Sequence, residues 1–233
     1  MPENIGDNIN IVKRTITVFF LLDKSASMKG ERIAALNAAI PVTVDALKEI
    51  CEDNPNLRIV IKVIEFSNQV ELTSGANGQD VDNFIWRDLV VDGYTATASA
   101  INLLSDNLSL EIMPKRGYPP VCVLISDGYC TEKEELYNAA IDRLNNEPWG
   151  RKAARIVISI GDDLDEVALR KFVNKNGEYI NCTDASQIRD YVVTVTTNAT
   201  LSQSESTMPK DEDSFDDVSG AEAAEEVDLD DTF

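Results

Sequence analysis

Histidine is absent from the 233 residues. That absence excludes every mechanism built on imidazole: Ser-His-Asp and Cys-His nucleophilic catalysis, His-ligated zinc and a His-based pH switch. Basic residues are scarce as well, 21 Lys+Arg against 41 Asp+Glu. The net charge of -20 argues against binding to nucleic acid or to an anionic membrane, both of which need clustered cations. No segment approaches the ~20 apolar residues of a membrane span, and the longest apolar run, Val18–Leu22, is the length of a strand. The first residues carry neither a basic region nor an apolar one, so no secretory leader is read and a cytoplasmic protein is expected. Cys51, Cys122, Cys130 and Cys182 form no CxxC pair and read as small hydrophobes rather than as a disulfide or zinc framework. Neither GxGxxG nor GxxxxGK[ST] occurs, so nucleotide binding has no signature.

What is present is a globular composition, 43% hydrophobic and 27% charged, long enough for one domain of ordinary size. The negative charge is unevenly spread. Residues 203–233 hold twelve acids and one base, net -11, which leaves -9 for residues 1–202. Apolar periodicity stops near Asn198, and the remainder cannot bury enough surface to offset chain entropy. The expected organisation is an N-terminal extension over 1–14, one folded domain over 15–198 and an acidic, disordered tail over 199–233.

Within the domain, apolar strands alternate with amphipathic helices. Strands are expected at Thr15–Leu22, Leu57–Phe66, Phe84–Val91, Pro120–Ile125, Arg155–Ile160 and Glu178–Asn181, with Gln69–Thr73 as a short hairpin partner. Helices are expected over Glu31–Ile50, Ala96–Leu110, Thr131–Asn145, Asp165–Asn176 and Asp184–Thr196. Strands apolar on both faces and separated by helices predict a doubly wound α/β fold, a mostly parallel sheet covered by helices on both sides. Such sheets bind ligands at the carboxyl ends of their strands.

Two of those ends carry carboxylates. Asp23-Lys24-Ser25-Ala26-Ser27 follows the first strand and Ser126-Asp127-Gly128 follows a later one, while Gly93-Tyr94-Thr95-Ala96-Thr97 enters a helix between them. Two carboxylates and several hydroxyls on one rim make an all-oxygen pocket of charge about -2, which like-charge repulsion disfavours when empty. A hard divalent cation relieves it, and a few monodentate oxygens suit Mg²⁺ better than a Ca²⁺ cage. Thr97 reads as a first-turn helix hydroxyl, Cys130 as a bystander on the rim, and Asp162-Asp163 as a helix cap.

Asp23-x-Ser25-x-Ser27, the Gly-x-Thr that ends at Thr95, and Ser126-Asp127-Gly128 resemble the metal-ion-dependent adhesion site of von Willebrand factor A domains. The resemblance covers roughly Thr15 to Thr196. It implies that Asp23, Ser25, Ser27, Thr95 and Asp127 hold a cation, Mg²⁺ with Mn²⁺ as the alternative, directly or through water. It also implies a non-catalytic module that grips an Asp or Glu of a protein partner. Within that superfamily the chain looks most like the bacterial TerY-like proteins of tellurium-resistance and stress-response clusters, which would make a Ser/Thr kinase-like protein and a PPM-type phosphatase its partners. Ala26 stands where most relatives have Gly, and Lys24 places a cation beside the pocket. The zinc-binding extension of some TerY-like proteins has no counterpart in the tail, which lacks Cys and His. Two rival readings stand beside this one. A metal-dependent phosphotransferase could use Asp23 as nucleophile, but Ser25 occupies the position where haloacid-dehalogenase phosphatases keep their second Asp. A scaffold could instead act through the acidic tail.

Overall fold

The computed structural model describes residues 13–114, 116–128, 130–161, 164–182 and 184–201. The expected tail beyond Leu201 and the Asp162-Asp163 cap lie outside them. Strands β1 (Arg14–Asp23), β2 (Leu57–Phe66), β3 (Val70–Leu72), β4 (Gln79–Asp80), β5 (Val121–Ser126), β6 (Ala154–Ile160) and β7 (Tyr179–Cys182) form one sheet of order β3-β2-β1-β5-β6-β7, with β4 also pairing β2. The contacts β2–β1–β5–β6–β7 are all parallel, and only β3 and β4 run antiparallel, both to β2. Helices α1 (Glu31–Asp53) and α6 (Ala185–Leu201) cover one face. The other face is covered by α2 (Thr97–Asn107), α3 (Glu134–Asn146), α4 (Pro148–Lys152) and α5 (Glu166–Arg170). The expected doubly wound, mostly parallel fold is the one observed.

β1 is central in both senses. Ile16, Val18, Phe20 and Leu22 point into the layer under α1 and α6, while Phe19 and Leu21 point into the layer under α2 and α3. All six are fully buried. The period-2 alternation of a strand therefore serves two cores, which is why its sequence shows no polar face.

Two expected elements differ, and one helix is new. Phe84–Val91 is not a strand. The edge of β2 is already taken by β3 and β4, so this segment has no ladder to join. Asn37 of α1 supplies a substitute, accepting from the Leu89 N–H at 2.9 Å and donating to its C=O at 3.0 Å. Leu89 is thereby buried while its neighbour Val90 stays exposed. The helix expected over Asp165–Asn176 stops at Arg170, because Phe172 turns into the core and the Asn174 side chain caps the carbonyl of Ala153 at 2.9 Å. Helix α4 was not anticipated. It is a single turn nucleated by Pro148 at its first position, too short to leave a periodic signal.

The chain crosses from β1 to β2 on one side and later returns to the far side of β1 as β5. The sheet's order therefore reverses between β1 and β5, the switch point at whose carboxyl ends sheets of this kind hold their ligands. Because β1 is load-sharing between both layers, Phe20→Ala and Phe19→Ala are each expected to lower unfolding free energy by about 3–5 kcal/mol. Denaturant titration of the two variants checks this, and a loss confined to one of them would show that only one layer depends on β1.

Candidate metal centre

Asp23 is the last residue of β1 and Ser126 the last of β5, so neighbouring parallel strands deliver Asp23 and Asp127 to the crevice. Both carboxylates are fully buried. Asp23 Oδ1 accepts from the Ser25 N–H at 2.8 Å, which folds the loop back on itself, and Oδ2 accepts from Ser126 Oγ at 2.6 Å. Ser126 Oγ in turn accepts from the Gly128 N–H at 2.9 Å. Ser25 is buried and Ser27 exposed, yet their hydroxyls meet at 3.0 Å. Ala26 simply opens a single 3-10 turn, Ala26–Met28.

Thr95 arrives from the third loop, and the backbone pins it there. Ala26 N–H donates to Gly93 C=O at 3.0 Å and Asp92 N–H to Lys24 C=O at 2.7 Å, which staples the Asp23 loop to the Gly93 loop. Gly93 has φ +66, and a Cβ there would lie 2.0 Å from Asn68 Nδ2, so only glycine fits. Thr95 is buried; its C=O accepts from Thr131 N–H at 3.1 Å and from Thr131 Oγ1 at 3.0 Å. The three loops that carry Asp23, Thr95 and Asp127 are thus tied into one rim, and all five expected site residues belong to it. Thr97 is the first residue of α2, with a buried Oγ1 that has no hydrogen-bond partner.

Three residues at the rim, Arg32, Thr131 and Glu132, escaped the sequence reading, and Ser126 was read only as part of the Ser126-Asp127-Gly128 turn. Arg32 Nη1 donates to Asp127 Oδ2 at 2.8 Å and to the Ser27 C=O at 3.2 Å. Its signal was available: a cation in the first turn of a helix opposes the helix dipole and asks for a tertiary partner. Ser126, Thr131 and Glu132 are the supports. Glu132 Oε2 accepts from the N–H groups of Ala98 and Ser99 at 2.6 and 3.3 Å, capping α2 from a distant loop. Cys130 is half-buried, with Sγ 3.8 Å from both the Thr95 C=O and Glu132 Oε2. Lys24 turns away from the pocket and pairs with Glu65 at 3.0 Å. The cap of α5 is Asp165, which accepts from Ala168 N–H at 3.1 Å.

Burial pushes the Asp23 carboxyl up from its ordinary 3.8 to about 6, opposed by its hydrogen bonds from Ser126 and Ser25 and reinforced slightly by Asp127. A carboxylate in that condition lacks counter-charge. Among the described residues no three His, Cys, Asp or Glu side chains gather as a cation site, so the donor set is two carboxylates with neutral hydroxyls. That set fits a hard cation and gives no thiolate or imidazole for a soft one.

A family model for the von Willebrand factor type A domain matches residues 17–194. The chain belongs to this family. No curated protein matches the sequence. Among solved structures, a von Willebrand factor type A protein from Catenulispora acidiphila superposes with a TM-score of 0.60 at 16% identity, covering 80% of this chain and 43% of the other. Proximal thread matrix protein 1 from the mussel byssus follows at 0.55 and 15%, covering 79% and 47%. The same mussel protein has been solved with a zinc-occupied adhesion-site motif, at a TM-score of 0.53 and 15% identity, with 80% and 46% covered. An aerotolerance-related membrane protein from Bacteroides fragilis superposes at 0.54 and 16%, covering 78% of this chain and 99% of the other. The chain therefore spans less than half the length of the first two proteins, and the likeness to all of them is one of fold. No described helix is long and apolar enough to cross a membrane.

The raised Asp23 pKa has a defined sign in stability. The native state holds this proton more tightly than the unfolded chain, so the stabilisation is complete below pH ~4 and is lost as pH rises to about 6. Asp23→Asn lacks the titration. In chelator, the stability of the wild type relative to Asp23→Asn is expected to fall by about 2 kcal/mol between pH 4 and pH 7. Denaturant unfolding across that range checks it, and a flat difference would place the proton elsewhere.

Proposed function

We propose that the protein is a non-catalytic interaction module that binds a carboxylate of a protein partner through a divalent cation, Mg²⁺ with Mn²⁺ as the alternative. Asp23, Ser25, Ser27, Thr95 and Asp127 hold the cation, directly or through water. The observation that carries this reading is the burial of Asp23 and Asp127 at adjacent strand ends, on a rim lined with hydroxyls. The bound cation supplies an electrophilic centre. The residues of the chain supply its seat: Ser126 and the Ser25 N–H orient the Asp23 carboxylate, and Thr131 fixes the backbone of Thr95.

Two features favour binding over chemistry. Both Asp23 oxygens are engaged in hydrogen bonds and the side chain is fully buried, a poor posture for an attacking nucleophile. The position two residues on, where a phosphotransferase of this kind keeps its acid-base Asp, holds Ser25, and the chain has no histidine. The resemblance to TerY-like proteins extends the proposal to a bacterial stress-response setting, cytoplasmic, with a Ser/Thr kinase-like protein and a PPM-type phosphatase as partners.

Ligand binding to the native state alone raises stability by mass action, about 2.7 kcal/mol when the ligand stands at a hundred times its Kd. In a domain of this size that is roughly 5–10 °C in Tm. Mg²⁺ is therefore expected to raise the Tm of the wild type and to leave that of Asp127→Asn nearly unchanged. Equal shifts in the two proteins would remove these residues from the site. An immobilised protein should retain an acidic peptide in Mg²⁺ and release it in EDTA; retention unchanged by EDTA would rule out the cation as the bridge.

A further inference from the structure

Arg32 lies where the proposed site needs positive charge. It sits in the first turn of α1, and its guanidinium bridges Asp127 Oδ2 at 2.8 Å and the Ser27 C=O at 3.2 Å, so one side chain joins two of the loops that build the rim. Its side chain is only 23% exposed and that of Asp127 is 0% exposed, so the pair is shielded from the screening that weakens surface ion pairs. The fold keeps a berth for it. Gly161, just past β6, has φ +109, and a Cβ there would fall 2.6 Å from Arg32 Nε and 3.0 Å from Nη2. A side chain at 161 would push the guanidinium from its place.

We infer that Arg32 is the resident counter-cation of this site, held by the protein against the moment when no metal ion is bound, and that it sets how weakly the site binds one. The inference rests on the cation-binding function proposed above. Two buried carboxylates repel each other, and the guanidinium cuts the pocket's charge from about -2 to about -1. The same positive charge opposes an incoming divalent cation. Arg32 therefore acts in opposite directions on the two states, stabilising the metal-free protein and lowering its affinity for metal. A brace that merely holds Asp127 in place would act in one direction, since its loss would weaken both. Arg32 is thus a positioning residue whose effect is read in affinity rather than in chemistry.

The opposed signs make the test. Calorimetric titration of Mg²⁺ into the wild type, Arg32→Gln and Arg32→Lys would be paired with the Tm of each protein in EDTA. Arg32→Gln is expected to melt lower in EDTA and to bind Mg²⁺ about tenfold more tightly, equivalent to about 1.4 kcal/mol. Arg32→Lys, which keeps the charge, is expected to bind Mg²⁺ within a few-fold of the wild type. If Arg32→Gln binds Mg²⁺ no more tightly than the wild type, the counter-cation role is overturned and Arg32 is a brace. Should Arg32→Gln fail to fold, Arg32→Lys and Gly161→Ala carry the test: displacement of the guanidinium from Asp127 in Gly161→Ala should also tighten Mg²⁺ binding, and looser binding would overturn the proposal. Absence of Mg²⁺ binding in every protein, wild type included, would overturn this inference by way of the cation site itself, and a Tm drop confined to EDTA-treated Arg32→Gln would then mark only the ion pair.

Discussion

Two carboxylates buried on neighbouring parallel strands create a standing demand for positive charge, and much of the molecule's upper rim is arranged around it. Burial at the strand ends raises the free energy of each charge, and proximity raises it further. The protein meets the demand in layers: hydrogen bonds from Ser126 and the Ser25 N–H to Asp23, and a guanidinium on Asp127. The hydroxyls of Ser25 and Ser27 complete the lining without adding charge. None of these groups is explained by packing alone. Each is explained by the electrostatics of the pair.

The sheet's topology decides where that pair stands. A chain that places β2 on one side of β1 and β5 on the other reverses the sheet's order at one point, and that point is the end of Asp23's strand. The loops above it are fixed by main-chain bonds rather than by side-chain packing, as the Ala26–Gly93, Lys24–Asp92 and Thr95–Thr131 contacts show. The exposed side chain of Tyr94 can therefore vary without moving the rim, whereas Gly93 cannot.

Strands β1, β2, β5 and β6 were legible because each is apolar on both faces, and nothing but a covered parallel sheet accommodates that pattern. Asp23 and Asp127 were legible because strand ends in such a sheet are known in advance to converge, whereas Ser25, Ser27 and Thr95 were named by resemblance to a family motif. What the sequence could not display was competition for partners. Phe84–Val91 has strand-like composition, and only the occupied edge of β2 makes it irregular. Residues 165–176 have helical composition, and only the pull of Phe172 and Asn174 on the core ends the helix at Arg170. Arg32 and Glu132 were missed for a related reason. The place of Arg32 in a first turn signals only that it needs a partner; the partners themselves lie 95 and 34 residues away, and no local spacing reports such a distance.

The interval between β1 and its second neighbour has a consequence for biosynthesis. Val18 pairs with Val121, and Ser126 reaches Asp23 across 103 residues. At the usual pace of translation, about 5–20 residues per second, β1 leaves the ribosome some 5–20 s before β5 is made. For that time the strand with the protein's longest apolar run has one edge without its native neighbour, the kind of edge that recruits other chains. The middle of the sheet, open for as long as the roughly one hundred residues between β1 and β5 take to make, is where a nascent chain of this protein most needs a chaperone.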